Sequence, residues 1–268
     1  MSALHVFEHA LKLARPSKAE LLRHMDLLGQ VASLDAPLEV QNALRSRREE
    51  LAQQLISQDF GRPGQFPKRF VPMLTGRPWL DCDEACEVLR EAKEELLKEY
   101  RELKGAGKMA REVECLHSHH GGQWRRYDVG LDLDPEGVGC VETPRACELL
   151  ERLRELDVPV IRASYSALEP RSHLKPHFGT TNAQLKWHLG PLAGTVCRAF
   201  SRGVARLSVP EGPGGAACAS LRVGNETRAW REGEVLFFDD SYEHEARQIG
   251  IESMNFGGFP SPFGLNFT

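Results

Sequence analysis

What most constrains the fold of this chain is a change of hydrophobic period near its middle. Up to about residue 103, apolar residues recur with the spacing of one-sided helices. Beyond that point the text breaks into short runs, QWRRYDVGLDL, VPVIRASYSAL, QLKWHLG, ACASLRVGN, TRAWREG and EVLFFDD. These runs are rich in β-branched and aromatic residues and are separated by Gly, Pro and Asn turns. The expected class is α+β: helices first, then an antiparallel β-sandwich or barrel that the helices could cover on one face. The helical part reads HVFEHALKLA, KAELLRHMDLLGQVASL and LEVQNALRSRREELAQQLISQ, the second with an apolar stripe of Leu21, Leu22, Met25, Leu27, Leu28 and Val31. Short one-sided helices of this kind are expected to stack as a hairpin or as degenerate repeats. DFGRPGQFPKRFVPMLTGRP combines Gly and Pro without a helical period and reads as a linker, dividing 1–62 from 63–268. A single long helix is expected from Asp81 to Leu103, with acidic residues at its start.

Composition removes several classes of function. With 41% apolar and 27% charged residues and a net charge of -4, the chain is not of the disordered type. It also has no basic block to attract nucleic acid. No run approaches the roughly 18 apolar residues of a membrane helix, and the longest, such as Val235 to Phe238, are strand-sized. The first residues lack the pattern of a secretory signal. The seven cysteines, Cys82, Cys86, Cys115, Cys140, Cys147, Cys197 and Cys218, form no CxxC, and composition alone suggests mostly free thiols in a reducing compartment; with no signal or transmembrane pattern in the text, the expected setting is cytoplasmic. Cys82 and Cys86, four apart, read as half-buried thiols on a helix rather than half of a zinc site.

The chemistry of such a chain rests on its ten histidines, since GxSxG, P-loop and GxGxxG motifs are all absent. His5, His9 and His24 fall in the helical part and read as surface or packing residues, and Asp59-Phe60-Gly61 matches the kinase triplet by chance. His117, His119 and His120 form a loop cluster with a weak claim to metal. The β half places His173, His177 and His188 in one stretch and His244 in another, which a small barrel could bring to its mouth. Neutral imidazoles there would suit iron, zinc or copper.

Four blocks of text carry a sharper signal: Pro176-His177-Phe178-Gly179-Thr180-Thr181-Asn182; Leu185-Lys186-Trp187-His188-Leu189-Gly190; Gly224-Asn225-Glu226-Thr227 with Trp230; and Phe238-Asp239-Asp240-Ser241-Tyr242-Glu243-His244-Glu245. In this order they resemble the oxygenase domain of the aspartyl/asparaginyl β-hydroxylase family, from about Pro72 to His244. The resemblance implies a double-stranded β-helix (jelly-roll, cupin-like) fold in 63–268. It also implies an Fe(II)/2-oxoglutarate dioxygenase that hydroxylates Asp or Asn side chains of protein substrates, EGF-like domains among them. His177 and His244 would be the iron ligands. Gly179 stands where most such oxygenases have a carboxylate, an omission this family shares. Ser166, His188 and Lys186 would meet the 2-oxoglutarate carboxylates, with Lys186 in place of the more usual arginine and so without its bidentate fork. Cys140 and Cys147 match a family disulfide, which would imply an oxidising compartment; read from the residues alone, two free thiols stay open. Relatives are often anchored in the endoplasmic reticulum membrane, so resemblance and composition point to different compartments. Asn225-Glu226-Thr227 is an N-glycosylation sequon that reads more simply as a turn.

Two departures from the family stand out. Pro191 to Arg206 interrupts a strand text that would otherwise continue from His188-Leu189-Gly190 to Leu207-Ser208-Val209-Pro210. No Lys or Arg follows Arg247, and Met254 lies near the position of the family arginine that pairs with the far carboxylate of 2-oxoglutarate. A dicarboxylate held by Lys186 alone would lose several kcal/mol, on the order of a hundredfold or more in affinity, and Arg247 could substitute only with a shifted register. The Gly-, Pro- and Phe-rich tail is expected not to close the sheet, leaving an unpaired edge. The alternative to an enzyme is therefore a catalytically impaired, family-derived interaction module.

Overall fold

The computed structural model describes residues 17–32, 37–111, 124–129, 138–168, 172–190, 219–231, 233–248 and 263–267. His5, His9, the His117 to His120 cluster, Cys115, Cys197, Cys218, the segment from Pro191 to Arg206 and Met254 lie outside them. The chain divides into two compact units, one of residues 1–75, 176–183 and 241–243, the other of 76–175, 184–240 and 244–268.

The first unit is built on two helices, α1 (Lys18–Ala32) and α2 (Leu38–Ser57). Helix α1 opens with a reciprocal cap: the Ser17 backbone N–H donates to Glu20 at 2.7 Å, and Ser17 Oγ accepts from the Glu20 N–H at 3.4 Å. The stripe read from the sequence is its buried face. Leu21, Leu22, Met25 and Leu28 pack with Leu44, Leu51 and Leu55 of α2 and with Phe66, so the helices form the expected hairpin. Of the stripe, Leu27 is exposed, and His24 is a packing residue, fully buried.

The second unit begins its helices with α3 (Glu84–Glu91) and α4 (Lys93–Gly105), then adds β1 (Ala110–Arg111), β2 (Trp124–Asp128), α5 (Val138–Glu142) and α6 (Pro144–Glu155). The single helix expected from Asp81 is thus two. Asp83 stays outside as the N-cap, its side chain accepting from the Cys86 N–H at 3.3 Å, and a single turn residue, Ala92, separates the two helices while still donating to the Val88 carbonyl at 3.2 Å and accepting from the Leu96 N–H at 3.1 Å. No Gly or Pro marks that turn and the apolar stripe runs through it, which hides it from a periodicity argument. Helix α6 has Pro144 in its first turn, and the Glu99 carboxylate of α4 accepts from the Arg145 and Ala146 N–H groups at 2.7 and 3.1 Å and from the Tyr165 hydroxyl at 2.6 Å. Burial pushes the Glu99 carboxyl up against these three donors.

The strands that follow are β3 (Ala163–Leu168), β4 (Ser172–His177), β5 (Lys186–Leu189), β6 (Ala219–Val223), β7 (Glu226–Ala229), β8 (Val235–Phe238), β9 (His244–Gln248) and β10 (Phe263–Phe267). They form a six-stranded sheet ordered β1-β2-β3-β10-β5-β8 and a four-stranded sheet ordered β4-β9-β6-β7. All five pairings of the larger sheet are antiparallel, as are β6–β7 and β6–β9, so helices with antiparallel sheets give the α+β class expected. Gly224, at a φ of +60°, and Asn225 make the β6–β7 turn, the structural role read for the sequon.

Period-two alternation splits the larger sheet cleanly. Ala163, Tyr165, Ala167, Trp187, Leu189, Val235 and Phe237 join the apolar cluster built by Ala85, Cys86, Leu89, Leu96, Tyr100, Leu149 and Leu153 of the helices. Ser164, Ser166, Lys186, His188, Leu236 and Phe238 alternate with them and take the other face.

Two further expectations are corrected by the structure. The tail does close a sheet: β10 lies between β3 and β5, with Leu265 opposite both Tyr165 and Leu189. Backbone N–H and C=O groups pair on both sides here whatever the side chains, so the Gly-, Pro- and Phe-rich composition of the tail does not prevent a strand. The cysteines are not mostly free: Cys82–Cys86 and Cys140–Cys147 are both disulfides. Cys82 precedes α3 instead of lying on it, so the pair spans the helix start with Cα atoms 5.5 Å apart, within bonding reach. No helix among the described residues is long and apolar enough to cross a membrane.

Candidate functional site

The side chains expected to meet a dicarboxylate share one face of the six-stranded sheet. Ser166 is buried on β3, opposite Gly264 of β10; His188 on β5 lies opposite Asn266 of β10 and Leu236 of β8; Lys186 lies opposite Phe238. The His188 ring stacks on Trp230 at 5.9 Å and meets Phe238 edge-on at 4.7 Å. Burial among these rings, reinforced by the Lys186 charge, drives its pKa down to about 3. His188 is therefore a neutral imidazole near pH 7, able to donate one N–H to an anion without adding charge.

Lys186 Nζ pairs with Asp240 Oδ2 at 2.7 Å. The Lys186 side chain is 30% exposed and that of Asp240 only 7%, so the carboxylate is the more desolvated partner. This pairing was not read from the sequence, although Asp240 stands in one of the quoted blocks; the antiparallel register that seats Lys186 opposite Phe238 creates it.

The two histidines expected to hold iron sit at strand ends. β4 ends on His177 and β9 begins on His244, and these strands are neighbours in the four-stranded sheet. His177 is half-buried; His244 is buried opposite Val223, its ring 6.2 Å from that of Phe238. Phe238, 1% exposed, thus touches both His188 and His244, and Trp79 covers it at 5.8 Å.

The opposite face of β9 holds a charged cluster that sequence reading missed. Glu245 takes Arg222 Nε at 2.6 Å, His173 Nε2 at 2.7 Å, and Arg247 Nε and Nη2 at 3.1 and 3.0 Å. Burial alone would raise this carboxyl, but the hydrogen bonds from His173 and Arg222 and the charges of Arg222 and Arg247 outweigh it and hold it at about 2. Arg222 also donates to the Gly224 carbonyl at 2.7 Å, so the cluster ties β4, β9, β6 and the β6–β7 turn together. Arg247 lies opposite Ser220, in a register that turns it away from the His244 face.

The donors suit the groups the resemblance implies. Imidazoles are of the donor type that suits a divalent metal of iron or zinc character, although among the described residues no group of three or more His, Cys, Asp or Glu side chains could by itself hold a metal ion. A hydroxyl, a neutral imidazole and one cation on a single sheet face fit an anionic co-substrate, with Asp240 already engaging that cation.

Known proteins resemble this chain over part of its length. The family profile for aspartyl/asparaginyl beta-hydroxylase matches residues 84–253. The mouse protein named aspartyl/asparaginyl beta-hydroxylase is 34% identical over 128 residues, 47% of this chain and 14% of that protein. An ornithine lipid ester-linked acyl 2-hydroxylase of Rhizobium tropici is 39% identical over 84 residues, 31% of this chain and 23% of that one. The chain thus matches only a minor part of the length of these relatives. The crystal structure of a Pseudomonas putida prolyl-4-hydroxylase superposes on 71% of this chain and 91% of its own with a TM-score of 0.36 at 14% identity, a distant likeness. The profile match covers well over half of the sequence and contains all four blocks around His177, Lys186, Gly224 and His244; the chain belongs to the aspartyl/asparaginyl β-hydroxylase family.

Proposed function

We propose that this chain is an Fe(II)- and 2-oxoglutarate-dependent dioxygenase that hydroxylates Asp or Asn side chains of protein substrates, with 63–268 forming a double-stranded β-helix oxygenase domain after a helical region, 1–62. The observation that carries this reading is the placement of His177 and His244 at the ends of neighbouring strands within the family match. Bound Fe(II) would activate dioxygen, the oxidant, with decarboxylation of 2-oxoglutarate to succinate and CO2 supplying two electrons, so that one oxygen atom enters a C–H bond and the other the succinate. The chain's own residues bind and orient. His177 and His244 hold the metal, Phe238 excludes water beside His244, and the neutral His188 and the Ser166 hydroxyl offer hydrogen bonds to a carboxylate whose charge Lys186 balances.

Succinate release that requires both Fe(II) and 2-oxoglutarate, and that His244→Ala abolishes, is the expected result. The substrate panel begins with EGF-like domains and includes acyl lipids, because one relative bears a lipid hydroxylase name. Absence of turnover on every member would favour the interaction-module reading, whose specific support is the Lys186–Asp240 pair and the engagement of Arg247 by Glu245.

A further inference from the structure

The segments that immediately follow His177 and immediately precede His244 both belong to the first, helix-based unit. Residues 61–71, the Gly- and Pro-rich stretch that reads as a linker, make contact with each. The turn is tight: the Arg62 and Gln65 backbones hydrogen-bond reciprocally at 3.0 and 2.9 Å, and Gly64 has a φ of +76°. At Gly61 a Cβ would lie 2.3 Å from the Phe66 ring, so only glycine fits. This turn presents the fully buried Gln65, whose Nε2 donates to Ser241 Oγ at 2.8 Å, while the Glu243 N–H donates to the Gly64 carbonyl at 3.1 Å. Arg48 of α2 adds an ion pair to Glu243.

The same stretch holds the other segment by a second set of bonds. The Arg69 N–H donates to the Thr180 carbonyl at 2.8 Å. Buried Asn182 accepts from the Val71 N–H at 2.8 Å and donates to the Val71 carbonyl at 2.9 Å, a two-point bond that fixes orientation as well as position. Phe178 meets Phe66 edge-on at 5.7 Å and joins the apolar core of the helices.

We propose that residues 61–71, with Arg48, form a clamp that sets the spacing of the two histidine-bearing segments, and that Gln65 and Asn182 are positioning residues for metal binding. This rests on the assignment of His177 and His244 as the metal pair. Ligands of a metal depend on the groups that fix them, and loss of such a group typically costs about 10- to 100-fold in affinity.

The test is Co(II) binding to the full chain, followed by calorimetry and by the visible spectrum of the metal, alongside thermal melting. Gln65→Ala and Asn182→Ala are expected to weaken Co(II) binding about tenfold or more and to alter its spectrum. Arg48→Gln, which removes only the ion pair to Glu243, should shift affinity in the same direction. Leu28→Ala, in the helix core, should lower the melting temperature and leave affinity and spectrum unchanged. If Gln65→Ala and Asn182→Ala melt earlier but bind Co(II) as the parent does, the clamp is merely structural and the proposal is overturned. If the parent itself binds no Co(II), or His244→Ala binds it as well as the parent, the metal assignment fails and the clamp falls with it.

Discussion

At the scale of single residues, two carboxylates give stability opposite dependences on pH. Asp26 of α1 is driven up to about 6 by burial, against the lowering charges of Lys68 and Arg48, and its Oδ1 has no hydrogen-bond partner among the described residues. A raised folded-state value means that its contribution is full below the ordinary pKa of 3.8 and is lost as pH rises through 6. Asp26→Asn should therefore raise stability at pH 7, by at most about 2 to 3 kcal/mol, and change little at pH 4, as chemical denaturation at the two pH values would read. Glu245, held near 2, behaves in the opposite sense: its contribution is present above 4.5 and disappears as pH falls through 2. Glu245→Ala strips a desolvated carboxylate from Arg222 and His173 and should cost roughly 3 kcal/mol at pH 7. A variant as stable as the parent in urea would show that the cluster adds nothing.

At the scale of elements, the decisive piece is β10. Its backbone pairs with both β3 and β5, each of which would otherwise have an open edge there. Leu265→Pro removes a donor from an interior strand and should abolish cooperative melting or cause aggregation, whereas Leu265→Val should be tolerated. Equal melting curves for the two would contradict the strand. The two disulfides are checked by intact mass under denaturing, non-reducing conditions: alkylation should spare Cys82, Cys86, Cys140 and Cys147 until a reductant is added. Here the limits of sequence reading are instructive. The α1 stripe of Leu21, Leu22, Met25 and Leu28 gives its buried face directly, because a helix buries residues close to one another along the chain. The Cys82–Cys86 bond and β10 are invisible in the text, since the first depends on a helix start displaced by three residues and the second on where distant segments end up.

At the scale of the whole molecule, the candidate site was legible in its types and illegible in its pairings. His177, Lys186, His188 and His244 stand out because their local text is distinctive, and alternation along β5 puts Lys186 and His188 on one face, while Ser166 joins that face through the register of β10 between β3 and β5. The Lys186–Asp240 pair, the Phe238 contact shared by His188 and His244, and the Gln65 and Asn182 bonds come from cross-strand register and from a turn that reads as a mere linker. Asp240→Asn, which frees Lys186 of its counter-charge, should change 2-oxoglutarate affinity measured by calorimetry; an unchanged value would place Lys186 outside the co-substrate site. The central claim, that His177 and His244 hold an iron that acts with 2-oxoglutarate, is tested most directly by succinate formation from 2-oxoglutarate with the purified chain, Fe(II) and the substrate panel. The account predicts succinate with the parent and none above background with His177→Ala or His244→Ala; succinate formed at the parental rate by either variant would contradict it.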